Sequence, residues 1–157
     1  MPKATSPNHA SARIRQAAAA DLPDLVRIEN EQFSNPWSRD YFAAELTNRF
    51  SHIYVAIDPG LDAVVGYLLF WKLDNELELH KIAVASSCQR QGHAARLLEF
   101  FLGAGRAWGC RRAVLEVRAA NTPAIRLYEQ FAFRLVGRRR DYYDKPVEDA
   151  LIFEFVF

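Results

Sequence analysis

The 157-residue sequence predicts a single mixed α/β domain. Three observations carry that prediction. Apolar runs of strand length alternate with segments of helical period. Short turns join the early strands whereas helices join the middle ones, so the sheet contains both antiparallel and parallel neighbours. Half of the residues are apolar and 25% are charged, a balance that buries one sizeable core and leaves little for a second.

The elements follow in order. Residues 1–11 read as a frayed lead-in and residues 12–157 as the domain, with a first strand over 13–16. Asp21 stands where a helix cap belongs, ahead of Leu22, Leu25, Val26 and Phe33 on one helical face. Asn35-Pro36-Trp37-Ser38 breaks that helix, and Ser38 caps a second one ending near Asn48. Residues 52–57 and 64–73 form a hairpin closed by Asp58-Pro59-Gly60, and Asp74-Asn75 turns the chain into a strand over 77–84. A helix over 92–108 carries Leu97, Leu98, Phe101, Leu102 and Trp108 along one stripe, and Gly109 sits where a left-handed cap ends it. A strand over 113–117, a helix over 123–130 and strands over 133–139 and 149–157 complete the order. The result is a sheet of about six to seven strands with about four helices.

Composition narrows the function classes. The four histidines, His9, His52, His80 and His93, and the two cysteines, Cys88 and Cys110, show no metal-ligand spacing, so no metal site is expected. Two lone thiols make no disulfide framework, and residues 1–10 contain no apolar signal core, so a cytoplasmic protein without a membrane span is expected. Residues 1–78 hold 7 Lys/Arg against 11 Asp/Glu, whereas residues 79–157 hold 13 against 8, giving −4 and +5. A basic second half suits an anionic cofactor and an acidic first half a cationic acceptor; ordinary solvated surface is the competing reading.

The segment Gln89-Arg90-Gln91-Gly92-His93-Ala94 lies between a strand and a long amphipathic helix. Backbone N–H groups without partners converge there at the positive end of the helix dipole, which suits a phosphate. Gly92 and Ala94 let the backbone approach and Arg90 adds a charged donor. The Lys-Ser/Thr of a P-loop and the three glycines of a dinucleotide fingerprint are both missing. Residues alone leave open that Gly92 merely starts a helix.

Ile82-Ala83-Val84 followed by Gln89 to Ala94 resembles the strand and Q/R-x-x-G-x-G/A loop of the GNAT superfamily of acetyltransferases. Pro36-Trp37-Ser38, Leu115 to Asn121, Ala124 to Glu129, Arg139-Arg140-Asp141-Tyr142-Tyr143 and Glu148-Asp149-Ala150 resemble, within it, the RimI-type ribosomal-protein-alanine N-acetyltransferases. The resemblance spans residues 13–156. It implies a mostly antiparallel sheet with a splayed strand pair at the site of acetyl-CoA, the acetyl donor. It also implies that backbone groups of Ile82, Ala83 and Val84 pair with the pantetheine arm, that Arg90, Gln91, Gly92, His93, Ala94 and Ala95 surround the pyrophosphate, and that Asn121 bonds the cofactor near its reactive end. The acceptor it implies is a protein N-terminus, the alanine of small-subunit ribosomal protein eighteen. A lysine, a small amine, or a non-catalytic coenzyme A- or RNA-binding module are the alternatives, and a monomer is compatible with all of them.

Acetyl transfer to an amine needs a proton acceptor, a place for the oxyanion and a proton for the departing thiolate. Glu116 lies in the apolar run Ala113-Val114-Leu115-Glu116-Val117, where desolvation would raise its pKa; a solvent-facing glutamate paired with an arginine is the competing reading. Tyr128 lies one turn beyond Ala124, so a buried ring with its hydroxyl at a cleft, or a plain core tyrosine, fits the spacing. By the resemblance Glu116 is the proton acceptor and Tyr128 the donor to the thiolate. A backbone N–H near Val84 is expected to hold the oxyanion.

An α-amine of pKa near 7.7–8.0 is roughly a third neutral near pH 7.5, and a lysine only about one time in a thousand, which favours an N-terminal acceptor. Trp37, Tyr142 and Tyr143 are aromatic residues in loops, suited to groove walls. Arg138-Arg139-Arg140 invites a nucleic-acid reading, but only alternate strand residues share a face, so a solvated edge is expected. Ala94 and Ala132 replace family glycines, which is tolerable where the backbone stays at negative φ. Asp144-Lys145-Pro146-Val147 forms a shorter acceptor-side loop than the family's, and Ser86-Ser87-Cys88 stands where the family has an Asp-Pro turn.

Overall fold

The computed structural model describes residues 12–157, so the expected lead-in over 1–11 lies outside the described residues. The apolar runs form strands β1 (Arg13–Gln16), β2 (Ser51–Asp58), β3 (Ala63–Leu73), β4 (Glu76–Val84), β5 (Arg112–Arg118), β6 (Arg134–Tyr143) and β7 (Glu148–Val156). The helical stripes form α1 (Leu22–Gln32), α2 (Arg39–Thr47), α3 (His93–Ala107) and α4 (Thr122–Gln130). One sheet of order β1-β2-β3-β4-β5-β7-β6 contains all seven strands. Every neighbouring pair is antiparallel except β4 and β5, because α3 carries the chain across between them.

The helices cover both faces. On one, Phe42 of α2 meets the edge of Tyr67 on β3 at 5.7 Å; on the other, Phe101 of α3 meets Phe70 at 5.1 Å. Tyr67 and Phe70 differ by an odd number of strand positions, so they point to opposite faces, and β3 is buried from both sides. None of the described helices is long and apolar enough to cross a membrane.

Two irregularities of β4 shape the molecule around it. Its pairing with β5 covers only Glu76–Leu79 against Arg112–Leu115, after which the strands part. On its other side Leu69 pairs with Lys81 and Phe70 with Leu79, which leaves His80 as the extra residue of a β-bulge.

Helix ends follow local chemistry. Ser38 Oγ accepts from Tyr41 N at 3.2 Å, as its position predicts. Asp21 differs from expectation, for its side chain does not cap α1. Its carboxylate accepts from Ala18 N at 2.8 Å and from Arg15 at 2.8 and 2.9 Å, so it fastens the turn before α1 to β1. The guanidinium of Arg15 holds that carboxyl below its usual range.

Helix α3 ends in a Schellman motif, with Cys110 N donating to Gly105 O and Gly109 N to Arg106 O while Gly109 sits at φ 68°. Helix α4 ends the same way, through Phe133 N to Tyr128 O and Ala132 N to Glu129 O. Here the left-handed position belongs to Ala132, at φ 66°, so the condition of negative φ is not met there; Ala94, inside α3, is not among the positive-φ residues. The two cap bonds outweigh the steric cost of one Cβ in this region, about 1–2 kcal/mol. Replacing Ala132 with glycine removes that cost. We predict that Ala132→Gly raises the stability by about 1 kcal/mol and the Tm by roughly 2–4 °C, read by calorimetry; an unchanged or lower Tm contradicts the assignment.

Candidate active site

Parting of β4 from β5 leaves residues 80–84 without a strand partner on that side, so backbone groups of Ile82, Ala83 and Val84 border an open slot. The slot leads to the loop after the short turn Ser86–Cys88. Arg90 and Gly92 both adopt left-handed backbone, at φ 61° and 83°, which turns successive N–H groups toward one concavity. Gly92, Ala94 and Ala95 enter the first turn of α3, whose leading N–H groups have no partner within the helix. A Cβ built at Gly92 meets nothing within 4 Å, so the loop is open above it.

Gln89, Arg90 and Gln91 are exposed. His93 behaves differently. Its side chain is only 7% exposed, with both ring nitrogens unpartnered among the described residues, and Nε2 lies 4.0 Å from Asp58 Oδ2. That places its side chain beneath the loop, beside the β2–β3 turn, and leaves its backbone N–H to the cradle. The donor set of the cradle, backbone N–H groups with one guanidinium, fits a pyrophosphate.

The reactive candidates sit where the strands part. Tyr128 is buried in α4, its ring 5.8 Å from that of Phe133 and 6.4 Å from that of Phe153. Burial first, and the neighbouring Tyr143 second, hold its phenol far above the ordinary value. Asn121 caps α4, its Oδ1 accepting from Ala124 N at 3.3 Å, which leaves its amide N–H₂ free to donate.

Glu116 is the first residue of β5 beyond the paired stretch. The desolvated carboxylate expected there is not what the structure holds. Its side chain is 30% exposed and lies 3.1 Å from Arg139 Nε, because alternation turns Glu116 away from the apolar face occupied by Leu115 and Val117. The same ion pair, with Arg138 held to Asp149 at 2.6 Å, occupies two members of the arginine run.

Tyr142 and Tyr143 meet edge to face at 5.0 Å beside Glu116. Hydrogen bonding to Glu116 raises the Tyr142 phenol, and burial followed by the Glu116 charge pushes Tyr143 up to about 12.

Two further groups build the acceptor side, and the motifs did not reveal them. Glu29 is fully buried and accepts from Trp37 N at 3.0 Å, from Lys81 Nζ at 2.8 Å and from the Tyr67 hydroxyl. Lys81 lies over the rings of Phe33 and Trp37 at 3.8 and 4.7 Å, so the break between α1 and α2 is pinned to β4. Glu29 occupies the apolar face of α1, four residues after Leu25, and a lone acid in that stripe is the signal that marks it.

Arg118 clamps the 144–147 turn by donating to Asp144 O and Pro146 O, both at 3.1 Å, while its guanidinium lies 4.3 Å from the Tyr143 ring centre. Ser34 Oγ donates to Lys145 O at 3.1 Å, tying the α1–α2 segment to the same turn. The α1–α2 segment and the 144–147 turn are therefore bonded to each other.

A seven-stranded sheet with one splayed parallel pair, and α3 following the loop beside it, is the fold of an acetyltransferase of the GNAT type. The Acetyltransferase (GNAT) family model matches residues 22–133, and the chain belongs to that family of acetyl-CoA-dependent enzymes. It is 33% identical over 141 residues to the ribosomal protein bS18-alanine N-acetyltransferase of Escherichia coli K12, covering 88% of this chain and 93% of that protein. The enzyme of the same name from Haemophilus ducreyi is 30% identical over 134 residues, with 85% and 90% covered. The crystal structure of the E. coli ribosomal-protein-S18-alanine N-acetyltransferase matches with a TM-score of 0.85 at 31% identity, over 92% of this chain and 93% of that one.

The clamp is testable apart from catalysis. Arg118→Ala deletes two charge-assisted bonds to a turn otherwise tied by Ser34. Amide exchange over 144–147 is expected to quicken about tenfold, about 1.4 kcal/mol of local opening, with the exchange of β3 unchanged. Equal exchange in both proteins would show that Arg118 does not hold the turn.

Proposed function

We propose that this chain moves the acetyl group of acetyl-CoA onto the α-amine of a protein N-terminus, and that its acceptor is the alanine at the start of ribosomal protein bS18. The observation that carries the reading is the 33% identity, over 88% of the chain, with the E. coli enzyme of that name. The tie from Ser34 to Lys145 O, which joins the α1–α2 segment to the 144–147 turn, is compatible with a chain end as the acceptor. On this reading the protein works where ribosomal proteins are made, in the cytoplasm.

The reading assigns the roles as follows. Backbone groups of Ile82, Ala83 and Val84 hold the pantetheine arm as an added strand, Arg90 to Ala95 hold the pyrophosphate, and Asn121 donates near the thioester. A backbone N–H near Val84 receives the oxyanion. Glu116 takes a proton from the amine nitrogen as the C–N bond forms. Tyr128 gives its proton to the sulfur as the C–S bond breaks. The raised phenol suits this order: burial penalises phenolate, so the proton stays until a thiolate forms in the same dry pocket.

Mass spectrometry of peptides beginning with Ala, Ser or Met, or carrying an internal Lys, tests the acceptor. Acetylation of the N-terminal alanine is expected, and a lysine-only product overturns the reading. Glu116→Gln and Tyr128→Phe are each expected to lower kcat by about 10²–10⁴; undiminished turnover in either sinks the role given to it.

A further inference from the structure

Counting protons at the nitrogen leaves one of them without an acceptor. An α-amine of pKa about 7.7–8.0 is mostly ammonium at neutral pH. Becoming an amide costs that nitrogen two protons. One goes to Glu116 as the C–N bond forms, and it balances the proton that Tyr128 gives to sulfur. The other must leave before attack, because an ammonium has no lone pair.

The bulge of β4 supplies a group for it. His80 is the residue without a β3 partner, and it follows directly on Leu79, the last residue paired with β5, just as Glu116 follows Leu115 on the other strand. Leu79 and Leu115 face the core, so alternation turns His80 and Glu116 to the same, opposite face at the mouth of the splay. The ring of His80 is held there. It packs on Trp71 at 4.7 Å between centroids, and Trp71 is fixed in turn by its Nε1–H donating to Glu45 Oε2 at 2.8 Å. His80 Nε2 lies 3.5 Å from Glu78 Oε2, and a neutral ring with its proton on that nitrogen would keep the Nδ1 lone pair to accept with. The side chain is 30% exposed, so solvent can receive what it takes up. Glu116, in contrast, is engaged by Arg139.

We propose that His80 is a second proton acceptor of the reaction, taking one proton from the incoming α-ammonium and releasing it to solvent. The freed amine then attacks the thioester carbonyl, the C–N bond forming as the second proton moves to Glu116, and the C–S bond breaking as Tyr128 protonates the sulfur. This rests on the N-terminal acetyltransferase reading. Burial lowers the His80 pKa, whereas the charges of Glu78 on its own strand, Glu45 of α2 and Glu116 of β5 act in the opposite direction. The imidazole is therefore neutral and able to accept near pH 7, and it becomes charged and useless as an acceptor as the pH falls.

The test is the pH dependence of kcat over about pH 5 to 9, with saturating acetyl-CoA and an Ala-initiated peptide. The wild type is expected to lose activity about tenfold per pH unit below an apparent pKa under about 6.5. His80→Gln is expected to lose that acid limb and to turn over about tenfold to a hundredfold more slowly at pH 7, with partial rescue by added imidazole. Glu78→Gln, which keeps the ring, is expected to shift the limb to lower pH because a charge supporting the imidazolium is gone. A His80→Gln enzyme that keeps the wild-type limb, at any rate, overturns the assignment and leaves His80 a packing residue against Trp71. An unmoved limb in Glu78→Gln overturns it too, and does so with the histidine in place. A wild type that acetylates no N-terminal peptide overturns both the function and this inference, whereas an active wild type with an unaltered variant profile overturns this inference alone.

Discussion

The early end of the β4–β5 ladder is the constraint on which the site depends. A parallel pair between two buried strands would ordinarily run their full length, since every unpaired backbone group in a dry interior costs about 1–3 kcal/mol. Here it stops after Leu79 and Leu115. Of the residues beyond, 81–84 keep their pairing with β3 while their other side presents a free edge to the gap. An extended arm carrying amides satisfies that edge as another strand would, and the bulge at His80 supplies the extra twist that turns β4 aside. Close approach of β3 and β4 at this level is tight as well: a Cβ on Gly66 would stand 2.9 Å from Ala83 O, so only glycine fits there.

The gap also divides the chemistry between two faces. Tyr128 and Phe153 belong to the face covered by α3 and α4, while Glu116, His80 and Trp71 belong to the face of α1 and α2. On the proposed roles, a thioester lying between the strands would meet a dry phenol from one side and a partly wet acid and imidazole from the other. Such a division would keep the proposed proton donor and acceptors apart, because the sheet itself stands between them. It also explains why the environments differ so sharply, with Tyr128 closed off and Glu116 and His80 in contact with solvent.

Much of this is legible in the chain. Strand alternation, the Ser38 cap, the Gly109 cap and the loop at Gln89 to Ala94 are local signals, and the elements form where those signals stand. Signals that depend on tertiary partners are harder to read. Glu116 looks desolvated among Val114, Leu115 and Val117, yet its exposure is decided by strand parity and by Arg139, which lies 23 residues away on β6. Asp21 has the right type for a cap, but Arg15 competes for its carboxylate. Ala132 adopts a conformation that its own side chain opposes, since the end of α4 requires a left-handed residue there. Arg118 reads as one letter of a motif, and its clamp on the 144–147 turn emerges only when β5 and β7 pair.

The buried acid of α1 shows how the acceptor wall is held in place. A fully buried carboxylate is tolerated only with partners for its lone pairs, and Glu29 has a lysine, a phenol and a backbone N–H. Each partner comes from a different element, namely β4, β3 and the segment after α1. The arrangement therefore does not strengthen any single element; it fixes the distance between the Trp37 segment and the strand that borders the slot. Its charge favours the phenol's protonated form, as burial does, so Tyr67 remains a donor and the network has a single state. Removing one partner would leave an uncompensated charge rather than a gap, which makes the network a determinant of register more than a source of stability. The segment between α1 and α2 is thereby fastened at two places, through Glu29 to Lys81 of β4 and through Ser34 to the turn that Arg118 holds, and on the proposed reading a chain end would enter beside it toward His80 and Glu116.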